Sequence, residues 1–443
     1  MVDSSPVIPV HLLVLVHGMW GNPGHLGEMA RIIRETKEEA GPDGTKLQVL
    51  LAETNREDST YDGVDWGAER VAEEVIQEVE KLANEGKRVA RFSVTGYSLG
   101  GLVSRYLVGI LYQRKFFEDV QPVNFNTVAT PHIGLLRYSS ILSSLTFALG
   151  SRLLSRTGEQ FYCVDKWSST GRPLLEVLAD PNRIFYQALS KFKNIRIYAN
   201  AVNDMTVPYT TAAIELQDPF ADMSTSGLEI DLQENYCPLI ESMTVPPSPP
   251  PPPPSPRVLS LAWFKRFRST RPFLPPFLQF KFPFNILLYI SLPLLIPVAI
   301  LTALTHFALA THSSRRRIKL LEKDAPAHGR LSHVLAQLEK QVEDAVAEFI
   351  DSSDPDESEP SSSSPPLHIK GKPGKPSSAQ PILSPVQKRI VVSLNKLPIK
   401  KELAYIDGVR NSHATIVCRD VKRFDFHRRG EGVLKHWADS FML

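Results

Sequence analysis

The chain has 443 residues, enough for one large domain with appendages or for two domains, and its 42% hydrophobic content supports a sizeable core. A formal net charge of +2, with no basic stripe interleaved with aromatics in the first half, argues against a nucleic-acid partner. Three distant cysteines (Cys163, Cys237, Cys418) form neither a metal spacing nor a disulfide framework, so a reducing compartment and no cofactor or metal are expected.

The beginning of the chain carries no basic n-region, and the apolar run Leu12 to Val16 is too short for a signal peptide. His11 to Val16 reads instead as a parallel strand buried on both faces. It runs into the Gly-rich loop His17-Gly18-Met19-Trp20-Gly21-Asn22, whose backbone N–H groups are free to face a cleft. Asn22 to Ala40 looks helical, and Leu47 to Leu51 is a second strand. Gly67 to Glu85 is an amphipathic helix, with Val71, Val75, Ile76, Val79 and Leu82 at three- and four-residue spacing.

Lys87 to Val94 is a third strand, and it enters Gly96-Tyr97-Ser98-Leu99-Gly100, a match to G-x-S-x-G. Leu102, Val103, Tyr106, Leu107, Ile110 and Leu111 then recur at helical spacing. Strand, sharp turn and helix form the setting that holds such a serine on a strained elbow with its hydroxyl exposed. Glycines at 96 and 100 fit a place where strand and helix backbones approach too closely for side chains.

Val123 to Ala129 is a further strand, ending at Thr130-Pro131-His132. Residues 134–175 break the alternation and are expected to form a cap or lid, with Ile141 to Leu154 apolar and weakly helical. Pro181 to Phe192 reads as helix, and Asn194 to Asn200 as strand leading to Asn203-Asp204. Alternating strands and helices predict an α/β fold, a mostly parallel doubly wound sheet, over a core at 10–217.

Beyond the core the composition changes. Residues 218–256 read as an irregular and Pro-rich linker, with nine prolines between Pro246 and Pro256. Residues 257–350 begin with an aromatic-basic run suited to an interface. Ile286 to Ala310 follows without one Asp, Glu, Lys or Arg, and an amphipathic helix is predicted over 331–350. The apolar stretch is long enough to span a bilayer. Both flanks are basic, and Pro293 and Pro297 sit near its midpoint, which predicts a hairpin that enters the membrane without crossing it. Residues 351–388 have the composition of a disordered linker. Order returns over 389–443, the C-terminal part of the core, with a terminal helix from Gly432 to Leu443.

A serine hydroxyl is a poor nucleophile at neutral pH and needs a base and a group that orients the base. On this fold the chain order is Ser, acid, His. Ser98 is first. Asp204, just past a strand end, is the leading acid, whereas Asp180 is better placed to cap the helix at Pro181. Among the late histidines, His306 and His312 lie in or beside the apolar segment, and His328, His333 and His368 lie in polar stretches. His427 and His436 are further choices, but His413 precedes Thr415-Ile416-Val417, where core-like sequence returns. The backbone N–H groups of Leu99 and Met19 are the expected oxyanion donors. His17, Gly18, Trp20 and His132 are expected to line the cleft.

The His17-Gly18-Met19-Trp20-Gly21-Asn22 loop, Val94-Thr-Gly-Tyr-Ser98-Leu-Gly-Gly, Ala129-Thr130-Pro131-His132-Ile-Gly134 and Asn203-Asp204-Met-Thr-Val-Pro-Tyr together resemble the fungal putative serine esterases. That family includes a yeast lipid-droplet phospholipase and related monoacylglycerol lipases. The resemblance covers about residues 10–215 strongly and 389–443 more loosely. It implies an α/β-hydrolase that cleaves acyl esters of glycerolipids, with Ser98, Asp204 and His413 as triad. The catalytic domain would face the cytosol at the endoplasmic reticulum or a lipid-droplet monolayer. A soluble esterase or thioesterase would give no reason for the apolar middle segment, and an inactive membrane adaptor would give none for an intact Ser, Asp and His set.

Overall fold

The structure is a computed structural model and describes residues 8–168, 170–246, 260, 284–328 and 380–443. Six parallel strands form the main sheet: β1 (Ile8–Val16), β2 (Lys46–Leu51), β3 (Lys87–Tyr97), β4 (Gln121–Val128), β5 (Asn194–Asn200) and β8 (Ile399–Ala404). Their order is β2-β1-β3-β4-β5-β8. The central strands are continuous apolar runs because helices cover both faces. Along β1 the side chains alternate between the two layers. Val10, Leu12, Val14 and Val16 join the core under α2 (Val64–Asn84) and α3 (Leu99–Gln113). Leu13 and Leu15 join the core under α1 (Gly27–Thr36) on the opposite face.

The sheet draws on both sides of the long insertion. β8 pairs with β5 from Ile195↔Ile399 to Asn200↔Ala404, so residues past the insertion complete the domain. The expected helix at Gly67 begins earlier, at Val64. The helix read over Pro181 to Phe192 is shorter, Ile184–Ser190. The aperiodic 218–245 region contains a small antiparallel pair, β6 (Glu229–Leu232) and β7 (Ile240–Thr244). These strands are short and partly exposed, so they carry little hydrophobic pattern.

The expected cap region divides into two parts. Helix α4 (Ile141–Leu153) buries none of its residues and exposes Ile141, Leu142, Leu145 and Leu149. The following α5 (Ser155–Phe161) is built into the core, with Thr157, Gln160 and Phe161 buried. Arg156 of α5 pairs with the buried Asp65 of α2, and Gln160 and Trp167 donate to the same carboxylate.

The membrane hairpin is not what the structure shows. Residues Phe284–His328 form one helix, α7, that passes through Pro293 and Pro297 unbroken; the longest described helix between it and α5 is α6 (Ile184–Ser190). Each proline removes a single N–H donor, while the surrounding Leu, Ile and Ala positions keep their helical bonds. None of the most apolar stretch of α7 is buried in the protein. Its later part docks on the sheet domain: Thr311 Oγ1 donates to the Leu153 carbonyl, Ser155 and Ser314 hydroxyls pair at 3.1 Å, and Ala310 and Ile318 are buried. The chain re-enters the domain through α8 (Pro385–Leu394), which is held by a Ser384–Gln387 capping box. The amphipathic helix predicted at 331–350 and residues 351–379 of the linker predicted at 351–388 lie outside the described residues, as does the aromatic-basic run apart from Ser260; residues 380–388 are instead ordered, with the Ile382 N–H donating to the Arg137 carbonyl and α8 starting at Pro385.

Candidate active site

Ser98 sits between the end of β3 and the start of α3 with φ 55° and ψ −125°, a strained backbone for a side chain with a Cβ. The surroundings enforce the turn. A Cβ on Gly96 would lie 2.4 Å from the Gly100 carbonyl oxygen, and one on Gly100 would lie 2.1 Å from that of Val16. Only glycine lets β3, α3 and β1 meet there. The Ser98 N–H donates to the Val128 carbonyl at 2.9 Å, which ties the elbow to β4.

Asp204 follows β5 on a loop whose turn is made by Asn203 at φ 63°. Its Oδ1 accepts from the N–H groups of Thr206 and Val207 at 3.0 and 2.8 Å, and its Oδ2 accepts from Asn200 Nδ2 at 2.8 Å. His413 comes from the segment after β8. Its Nδ1 lies 2.9 Å from Asp204 Oδ2, and its Nε2 lies 3.0 Å from Ser98 Oγ. A carboxylate only accepts, so Nδ1 carries the proton and Nε2 is left to accept from the serine hydroxyl. The two loops are laced together: Ser412 N–H donates to the Asn203 carbonyl, Ser412 Oγ to the Val202 carbonyl, and Asn203 Nδ2 to the Ile406 carbonyl.

The Gly-rich loop passes against the nucleophile. A Cβ on Gly18 would lie 2.8 Å from the Ser98 Cβ, so the adjoining Met19 N–H belongs to the turn beside the serine. Leu99 opens α3, where the first N–H groups of a helix have no intrahelical acceptor. His17 is buried beneath this loop, with Nδ1 3.0 Å from the Gly18 carbonyl; burial first, and Arg56 with it, lowers its pKa below the ordinary value. Trp20, at φ 53°, is half exposed at the rim and donates from Nε1 to Tyr61 Oη at 2.9 Å.

His132 departs from its expected position. It is enclosed, with Nε2 2.8 Å from Thr127 Oγ1 on β4, and its carbonyl accepts from the buried Arg105. Among the described residues its ring makes no hydrogen bond to Ser98, Asp204 or His413, so it supports the floor behind the elbow. Asp180 pairs with Arg172 and accepts from the Asn182 N–H, away from this cluster. His436 bonds Tyr198, and His427 accepts from the Asp420 N–H. Sequence reading missed Tyr97 and Asn200 as partners of the cluster: Tyr97 Oη donates to the His413 carbonyl, and nothing in local spacing marks such a contact. No group of three or more His, Cys, Asp or Glu suited to a metal ion occurs among the described residues.

Residues 8–216 match the family described as "Putative serine esterase (DUF676)". The match covers a little under half of the chain. Similar curated proteins are the "Putative lipase C4A8.10" of Schizosaccharomyces pombe, 32% identical over 211 residues, and the "Putative lipase ROG1" of Saccharomyces cerevisiae, 27% identical over 245 residues. These alignments cover 46% and 55% of this chain but 26% and 34% of the relatives, so the chain spans about a third or less of their length. Among solved structures, a putative cell surface hydrolase from Lactobacillus plantarum is similar at 14% identity and a TM-score of 0.27, covering 47% of this chain and 75% of the other. The phospholipase PlaB of Legionella pneumophila is similar at 15% identity and a TM-score of 0.26, covering 45% and 42%. The matched domain, with its six-stranded parallel sheet and its elbow between β3 and α3, has the α/β-hydrolase fold.

Proposed function

We propose that the protein is a serine lipase that hydrolyses acyl esters of glycerolipids at a lipid surface, with Ser98, His413 and Asp204 as its catalytic triad. The observation that carries this reading is the hydrogen-bonded chain Asp204–His413–Ser98 on a strained elbow. Ser98 Oγ attacks the ester carbonyl carbon while His413 Nε2 takes its proton. The tetrahedral oxyanion accepts from the N–H groups of Leu99 and Met19. His413 then gives the proton to the departing alcohol oxygen, leaving an acyl group on Ser98. Water, deprotonated by His413, releases the fatty acid and restores the serine.

The lipid assignment draws on α7 and α4. The exposed apolar part of α7 has a length of roughly 30 Å at 1.5 Å per residue, comparable to a bilayer core. The lipase descriptions of the yeast relatives favour the same substrate class. Residues on both sides of the insertion share one sheet, so the insertion must begin and end on the same face of the membrane. The cytosolic face of the endoplasmic reticulum or the monolayer of a lipid droplet fits that constraint.

The test is labelling with a fluorophosphonate probe, followed by hydrolysis of phospholipid and monoacylglycerol in vesicles. Wild type should label and Ser98→Ala should not. An unlabelled wild type, or hydrolysis of a short water-soluble ester with none of either lipid, would overturn the proposal.

A further inference from the structure

We infer that Arg317 and Phe307, on the docked part of α7, are positioning residues for the oxyanion loop, so that the lipid-seeking helix is also a mechanical support of the catalytic centre. This rests on the esterase reading above. Two contacts connect the helix to the loop. The Phe307 ring stacks on Trp20 at 6.0 Å between centroids and 16° between planes. Trp20 adjoins Met19, whose N–H is the proposed donor. The second contact is ionic. Arg317 Nη2 donates to Asp62 Oδ1 at 2.9 Å and to the Asp58 carbonyl at 2.8 Å, and its Nε reaches Asp62 Oδ2 at 3.2 Å.

Asp62 has a side chain 0% exposed and is shared with Arg70 of α2. A buried carboxylate held by two guanidinium groups fixes its segment far better than an exposed pair would. That segment, Glu57–Tyr61 with Asp62, is what holds the Gly-rich loop. Thr60 Oγ1 accepts from the Trp20 N–H, Tyr61 Oη accepts from Trp20 Nε1, and the Glu57 N–H donates to the Gly21 carbonyl. The path therefore runs from α7 through Asp62 to the 57–61 segment, then to Trp20, Met19 and Ser98. Every step as far as Trp20 is a bond or ring contact within the described residues; Met19 then adjoins Trp20 in the chain, and Gly18 on its other side packs against Ser98. Trp20 sits at positive φ, a conformation that its own backbone does not favour and that these contacts hold. Loosening them frees the turn to relax away from the position where Met19 N–H meets the oxyanion.

The experiment uses the full chain in detergent, with a short water-soluble ester that needs no lipid surface. Active sites are counted by burst titration, so that rates refer to intact Ser98 only. Arg317→Ala and Phe307→Ala should each lower kcat per titrated site about tenfold or more with KM within twofold, while Arg317→Lys should recover part of the loss. Cosedimentation of both variants with phosphatidylcholine vesicles should match wild type. Wild-type kcat per titrated site in both alanine variants would overturn the coupling, as would a loss confined to vesicle binding. A wild type that neither bursts nor labels would instead sink the esterase reading. Phe307→Ala keeps the test decisive should Arg317→Ala fail to fold.

Discussion

Tyr97 Oη donates a 3.0 Å hydrogen bond to the carbonyl oxygen of His413, joining the residue before Ser98 to the histidine whose Nε2 meets the Ser98 hydroxyl. The two rings also lie 5.1 Å apart. The bond locks the backbone of the late loop onto the end of β3. Tyr97→Phe keeps the ring and removes the donor, which leaves a carbonyl unpaired. About 1 kcal/mol of positioning is lost, and kcat should fall roughly fivefold with little change in KM. Steady-state kinetics on a soluble ester checks this.

Asp204→Asn should preserve the loop but replace a carboxylate that fixes Nδ1–H with an amide that can donate. The wrong imidazole tautomer is then favoured, and turnover should drop by up to about 10⁴-fold. The melting temperature should change little next to this effect. Measuring both on one preparation separates catalytic loss from unfolding.

Helix α4 presents Ile141, Leu142 and Leu145 to solvent, with Ile141 91% exposed. Removing exposed apolar side chains forfeits almost no core packing. The double substitution Leu142→Ser with Leu145→Ser should leave the melting temperature and the short-ester rate near wild type. It should lower the rate on long-chain lipid in vesicles several-fold. Equal loss on both substrates would show that α4 belongs to the core and does not touch lipid.

His11 is fully buried on β1, with Nε2 2.7 Å from Ser93 Oγ, and burial lowers its pKa to about 3. The folded state therefore resists a proton that the unfolded chain accepts near pH 6.5. Its contribution is complete above the unfolded value and is lost as pH falls from there toward 3. The buried His17 and His132 act in the same direction, whereas Asp165 and Asp218, raised by burial to about 6, oppose them between pH 4 and 6. Unfolding free energy should decline between pH 7 and 4.5, with roughly 2 kcal/mol of the decline assigned to His11. Chemical denaturation of His11→Gln should give a shallower slope over this window, though a lower starting stability.

The strand–elbow–helix unit was legible because its signals are local: a continuous apolar run, G-x-S-x-G and a helical period lie within one stretch. That Asp204 and His413 come together with Ser98 is legible through chain order and the nearness of core-like sequence. His132 was misplaced because a conspicuous histidine beside a strand end looks the same in sequence whether it faces a cleft or Thr127. The hairpin at Pro293 and Pro297 failed for a different reason. Proline is a strong breaker in a marginal helix, but these two sit in a long run of apolar residues with no competing structure. The Arg317–Asp62 pair was invisible, since its partners lie on opposite sides of the Pro-rich linker and share no pattern.

β5 ends at Asn200, yet the strand that covers its outer edge begins only at Ile399. During synthesis at about 5–20 residues per second, the ribosome takes on the order of 10–40 s to travel between them. Throughout that interval β5, whose side chains are all buried in the finished sheet, offers an unpaired edge on which other chains can template. Ser98 and Asp204 have already emerged, but His413 has not. The apolar helix thus leaves the ribosome before Ser98, Asp204 and His413 can meet, and any activity the proposed triad supports waits until the last strand closes.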